Sequence, residues 1–245
     1  MTTTAEFPRL PALVATACVY AVADFVLKIN DRYLVMFHTL LASVWVGYVL
    51  IVTGDLYLDR IFEDKPLCIV PADEVDSEVA LMAYMAGFFV YDLMLCYKTN
   101  VTFAWYCHGA FSLLVYIAAL TGWAQGYATR FVVYEWSSIF YQASREIDRE
   151  AYKTIYKSSR VLFAVTFIVI RYIYGLPLSF AFQRQSWLGM ETETCGLSSL
   201  ARKLVLLTNV LFAVLNFYWG FLIVKSVVGK KDVNDGNEKN NKKGQ

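Results

Sequence analysis

Apolar residues run along the chain in unbroken blocks, with windows at about 11 to 27, 33 to 53, 79 to 97, 101 to 121, 127 to 144, 159 to 182 and 203 to 228. Helices of that length cross about 30 Å of hydrocarbon at roughly 1.5 Å per residue. The pattern predicts an all-α fold, a polytopic transmembrane helix bundle of about seven spans. Six or eight spans stay open, because the first window carries Asp24 and the fifth follows Gly122-Trp-Ala-Gln-Gly126. That glycine pair reads as a turn rather than as a helix-dimer GxxxG motif. Pro177 predicts a kink in the sixth span beyond Arg171.

Composition agrees: 58% hydrophobic and 18% charged residues do not describe a water-soluble domain. A net charge of +1 argues against a nucleic-acid partner, and five cysteines without C-x-x-C or zinc-ligand spacing argue against a metal site. No cofactor motif is present. The predicted loops carry seven Lys and Arg on one side and fourteen on the other, the second set including Lys28, Arg32, Lys98, the Arg145 to Arg160 stretch and the tail from Lys225. The positive-inside rule then places the C-terminus in the cytosol and the N-terminus in the lumen. The first span lacks a basic n-region and cleavage site and is expected to be retained. The Asn100-Val-Thr102 sequon falls on the cytosolic side and is expected to be unused. Cys68 and Cys195 fall in the longer lumenal loops, where a disulfide would persist if their separation allowed one. Three segments result: residues 1–29 with the first span, a membrane domain over 30–228, and a polar tail over 229–245 expected to be disordered in the cytosol.

Ionisable groups in hydrocarbon cost about 2.5 to 3.5 kcal/mol and so tend to face a partner or a cavity. The apolar windows hold Asp24, His38, Asp92, His108, Glu135 and Arg171, accompanied by Ser112, Ser138, Gln142, Asn209 and Asn216. Helical spacing groups Glu135 with Ser138 and Gln142, His108 with Ser112, and Asn209 with Asn216. Counted from the cytosolic ends, His38 and Asp92 lie at about 7 to 8 Å, His108 at about 10 Å, Glu135 at about 13 Å, and Arg171 and Asn216 at about 18 Å. These depths suggest one polar chamber opening towards the cytosolic leaflet. Asp92 and His108 flank the short Lys98-Thr-Asn100 turn, so a carboxylate orienting an imidazole for acid/base work is one reading, and a plain helix–helix hydrogen bond is the other. Glu135 is read either as a partner of Arg171 or as a headgroup-binding or catalytic carboxylate, and His38 as a packing histidine or a site residue.

The stretches His38-Thr-Leu, Gly87-Phe-Phe-Val-Tyr91-Asp92, His108-Gly-Ala-Phe-Ser112, Glu135-Trp-Ser-Ser138-Ile-Phe-Tyr-Gln142, Arg171 with Leu176-Pro177, and Asn216-Phe-Tyr-Trp219, in this order, resemble the TLC-domain family. That membrane fold is shared by ceramide synthases and translocating-chain-associated membrane proteins, and the chain is most similar to the small TLC-domain-containing proteins. The resemblance covers about residues 30 to 228. It implies an endomembrane protein, expected in the endoplasmic reticulum, that binds, senses or adjusts lipids or acyl chains in lipid homeostasis. Catalytic roles would fall to His108, Asp92 and Glu135, and lipid-binding roles to His38, Ser112, Ser138, Gln142, Arg171 and Asn216. The chain departs from the family pattern where many members have a His-His pair, since Gly109 follows His108 here. An acyl-CoA-dependent N-acyltransferase of ceramide-synthase type is therefore the alternative, with acyl-CoA as substrate, and a non-enzymatic cargo or translocon-associated role is the second alternative. A homo-oligomer is compatible with all three.

Overall fold

The computed structural model describes residues 10–52, 77–188 and 197–228. The proposed Cys68–Cys195 bridge, most of the acidic loop before Glu78 and the polar tail lie outside the described residues. Seven helical rods make up the described chain. They are α1 (Leu10–Ala21, continued by a π turn Val22–Val26), α2 (Asp31–Val52), α3 (Ser77–Thr99) and α4 (Phe103–Leu120), followed by three more. Rod α5 has three pieces, Gln125–Phe131, a 3-10 turn Val132–Tyr134 and Glu135–Glu146. Rod α6 runs Lys153–Phe167, a π turn Ile168–Tyr174 and Gly175–Leu188, and α7 is Ser199–Val228. Five of the rods, α2, α3, α4, α6 and α7, are long and apolar enough to cross a membrane.

The two windows that were least regular in sequence are the two that depart from a simple span. The apolar helix of α1 is short, Leu10–Val26. α5 is broken and carries Gln125, Thr129 and Arg130, each almost fully buried against protein. Polar side chains and irregular backbone are tolerated at membrane depth where protein shields them from lipid. α6 is longer than its apolar window, 36 residues from Lys153 to Leu188, because polar residues at its ends extend the helix beyond the hydrophobic stretch.

Where a kink is expected near Pro177, the helix has a π turn, Ile168–Tyr174, just before it. Proline has no N–H and crowds the preceding turn. A widened turn absorbs both effects, and the Gly175 N–H reaches back to the Ile170 carbonyl. π bulges change the phase of the helix face on which side chains emerge. Arg171 lies within this turn.

Helix contacts close six rods into a ring, α2–α3–α4–α7–α6–α5 and back to α2, while α1 packs on the outer side of α3. Gly87 permits that last contact: a Cβ there would lie 2.6 Å from the Leu13 carbonyl oxygen and from Thr16 Cβ. At the far end of α1 the Lys98 ammonium donates to Asp24 Oδ1 at 2.7 Å and lies over the Phe25 ring. Between α5 and α6, Asp148 Oδ1 accepts the N–H groups of Glu150 and Ala151, which holds its carboxyl below the usual carboxylate range.

Candidate functional site

The ring surrounds a partly open cavity, with about 730 Å³ of space that includes the solvent at its mouth. All its rods but α2 contribute to the wall. α3 supplies Phe89; α4 supplies His108, Ser112, Val115, Tyr116 and Ala118; and the start of α5 with its preceding turn supplies Trp123, Ala124, Tyr127, Phe131 and Glu135. α6 adds Arg171, Ser179 and Phe182, and α7 adds Val205, Asn209 and Phe212. Apolar and aromatic side chains dominate, with a few polar groups converging on one region. That is the ordinary make-up of a site for a largely apolar ligand.

His108 is the centre of the polar region. Four rings stand roughly perpendicular to its imidazole, Phe89 at 5.8 Å, Trp105 at 6.1 Å, Phe212 at 5.7 Å and Trp219 at 5.5 Å between centroids. Its Nδ1 is buried and has no hydrogen-bond partner among the described residues. Ser112 follows one turn along the same face. Glu135 begins the last piece of α5, where the 3-10 turn before it resets the helix phase, and its carboxylate is reached by the hydroxyls of Ser138 and Thr39.

Arg171 is held from several sides. One guanidinium nitrogen donates to Asn216 Oδ1 at 3.3 Å and another to the Tyr134 carbonyl at 3.4 Å, while its Cζ stands 4.5 Å from the centre of the Tyr134 ring. Its Nε has no partner among the described residues. Glu135 and Arg171, an acid and a base, interact electrostatically inside the apolar ring. Gly175 makes room for the arrangement, because a Cβ there would overlap the Tyr134 hydroxyl. Lower in the cavity the Asn209 amide donates to Ser179 Oγ at 3.5 Å and accepts from Gln183 Nε2 at 3.1 Å.

The structure brings His108, Ser112, Glu135 and Arg171 to one wall and leaves the other expected residues elsewhere. Asp92 lies beside Gly109, whose Cβ position is 3.0 Å from its Oδ2, and it does not line the cavity. Gly109 is the next residue along α4 from His108, about 100° further round the helix, so the carboxylate serves a different face from the imidazole. Asn216 acts through Arg171, Ser138 stands behind Glu135, and Gln142 accepts from Arg145 at 3.4 Å away from the cavity. His38 is packed between α2 and α3: its ring stacks on Phe88 with centroids 3.3 Å apart, and its Nδ1 lies 3.1 Å from the Tyr84 hydroxyl.

The cavity also extends in the direction opposite to the one the depth estimate suggested. It runs from His108 towards the Thr121–Gln125 turn, not towards the Lys98 end. On the Lys98 side the space between helices is filled by aromatic rings, Trp105 against Trp219 at 5.4 Å and Trp105 against Tyr141 at 6.4 Å. Counting depth along separate helices locates polar groups but not the bulky rings between them. Several wall residues could have been found by continuing a face already marked: Val115 and Tyr116 prolong the His108–Ser112 stripe, and Val205 and Phe212 flank Asn209 at helical spacing. Trp123, in a connecting turn, carried no such signal.

No curated protein and no solved structure matches this chain. The model of the TLC domain does match, over residues 28–225, from just before α2 almost to the end of α7. That range contains all but the last three residues of the six-helix ring and every residue of the cavity wall, so the chain belongs to the TLC-domain family, as a multi-pass membrane protein linked to lipid metabolism.

Proposed function

We propose that the protein holds a membrane lipid by one hydrocarbon chain, with the chain in the apolar part of the ring and its polar end beside His108, Glu135 and Arg171. The observation that carries this reading is the cavity itself, a largely apolar space with ionisable and polar groups gathered at one region of its wall. Lipid chains gain little from leaving a bilayer for an equally apolar cavity, so retention depends on the polar end. Arg171 Nε and His108 Nδ1, both buried and unpartnered among the described residues, are groups that a carbonyl, hydroxyl or phosphate oxygen could satisfy, the imidazole as a donor in one tautomer. Binding of this kind suits sensing or adjustment of acyl-chain composition in an endomembrane such as the endoplasmic reticulum, with the N-terminus lumenal and the C-terminus cytosolic. The loop charges support that orientation.

Extraction and mass spectrometry of lipid retained by the purified protein tests the reading. About one lipid per chain is the expected result, and a protein purified free of lipid contradicts it. The unpartnered Nδ1 of His108 on the cavity wall favours a second reading, acyl transfer from acyl-CoA with His108 as base or acyl acceptor. Incubation with labelled acyl-CoA and amine acceptors separates the two: label transferred to an acceptor supports the enzyme, and label that is bound and released unchanged supports the binder.

A further inference from the structure

The turn between α4 and α5 does not run over the surface as connections ordinarily do. Trp123, Ala124 and Gln125 are all buried, Trp123 at 1% exposure, and the turn folds back into the ring. Its backbone is held in an uncommon shape. Gly122 has φ 88° and Ala124 has φ 58°, a left-handed conformation that an alanine adopts only at a cost. Short bonds lock it: the Thr121 and Gly122 N–H groups donate to the carbonyls of Ala118 and Ala119 at 3.0 and 2.9 Å, and the Thr121 hydroxyl donates to Ala118 at 2.7 Å. The consequence is that the Trp123 ring enters the cavity at the end away from His108 and meets Phe182 edge-on at 5.9 Å. Its indole N–H has no partner among the described residues.

We propose that this inward turn is a stop for the hydrocarbon chain and that Trp123 sets the chain length the protein accepts. The proposal rests on the lipid-binding reading above and adds a specificity-determining residue to it. The geometry gives the scale. From His108 to Ala118 the wall follows ten residues of helix, about 15 Å. That is half of a hydrocarbon core of about 30 Å, the depth occupied by the acyl chain of one leaflet. Discrimination here is steric. A chain that moves from bilayer to cavity leaves one apolar medium for another, so extra methylenes bring no general gain. A methylene forced against a filled end is disfavoured, by roughly fivefold or more if it behaves like overpacking in a protein core.

The test compares wild type, Trp123→Ala and Trp123→Phe, with Trp187→Ala as control because that indole is 74% exposed on the outside of α6. Each is purified from the same cells, its retained lipid is extracted, and the chain-length distribution and melting temperature are measured. Wild type should show a narrow distribution. Trp123→Ala should admit chains longer by two or more methylenes, enriched at least about fivefold over wild type. Trp123→Phe should fall between the two, and Trp187→Ala should match wild type. If Trp123→Ala does not fold, Trp123→Phe and Ala118→Val decide, because a larger side chain at Ala118 on the wall should shift the distribution to shorter chains. Folded variants with the wild-type distribution overturn the proposal while leaving lipid binding intact. A wild-type protein that retains no lipid removes the binding reading, and this proposal with it.

Discussion

The protein has two histidines, one packed between helices and one on the wall of the cavity. His38 has 1% exposure, a ring stacked flat on Phe88, and Nδ1 against the Tyr84 hydroxyl, which in turn shares a 2.6 Å hydrogen bond with Tyr20 on α1. His108 stands among four rings set roughly perpendicular to it, has an unpartnered Nδ1 and lines the cavity. One ring neighbours both, for Phe89 lies 6.3 Å from the first and 5.8 Å from the second. The lesson is that a polar residue in hydrocarbon can be retained for packing or for a site. Each ring keeps one buried nitrogen without a partner among the described residues, Nε2 in His38 and Nδ1 in His108, so what distinguishes the two is the cavity that His108 lines and His38 does not.

The largest expected effect is on stability, at His38. His38→Ala removes a filled aromatic contact and strands part of the Tyr20–Tyr84 pair, at a cost of about 3 kcal/mol. Thermal melts of the purified protein should show it, together with reduced abundance. Equal melting curves for His38→Ala and His108→Ala would break the comparison. The next effect is on retention: His108→Ala should lower bound lipid about tenfold, about 1.4 kcal/mol, while melting much closer to wild type than His38→Ala. Lys98→Ala sharpens the packing side of the contrast, since it leaves the buried Asp24 carboxylate unpaired. With the ammonium itself 44% exposed, the loss should be about 1 kcal/mol of stability, read from the melting temperature, and lipid retention should stay unchanged. The smallest effect is at the turn. Ala124→Gly relieves a left-handed alanine and should stabilise the protein by up to about 1 kcal/mol in the same melts, with the chain-length distribution preserved.

The ring was largely legible in the sequence because hydrocarbon imposes a length on every span that crosses it. The windows for α2, α3, α4 and α7 fall within a few residues of the helices formed. α5 was legible as a helix but not as a broken one, since its 3-10 turn depends on where Tyr134 must stand against Arg171 and Gly175. The polar half of the cavity was also in view: His108, Ser112, Glu135 and Arg171 are conspicuous because polar groups are rare in apolar windows. Two things could not be read. Asp92 and His108 sit at similar depth on neighbouring helices, yet sequence spacing does not show that the carboxylate meets Gly109's face instead. Trp123 is one of six tryptophans, and the left-handed residues on either side of it, which sequence spacing does not show, accompany its inward ring.

Whether a lipid chain lies inside the ring can be measured most directly by photo-crosslinking. Cells expressing the protein are fed a fatty acid that carries a diazirine near its chain end, irradiated, and the labelled peptides of the purified protein are mapped. Adducts should form on inward-facing Val115, Tyr116, Tyr127 and Phe182, in addition to those on the outer surface. Adducts confined to the outward faces, such as Val210, Val214, Phe217 and Phe221 on α7, would contradict a chain held within the ring.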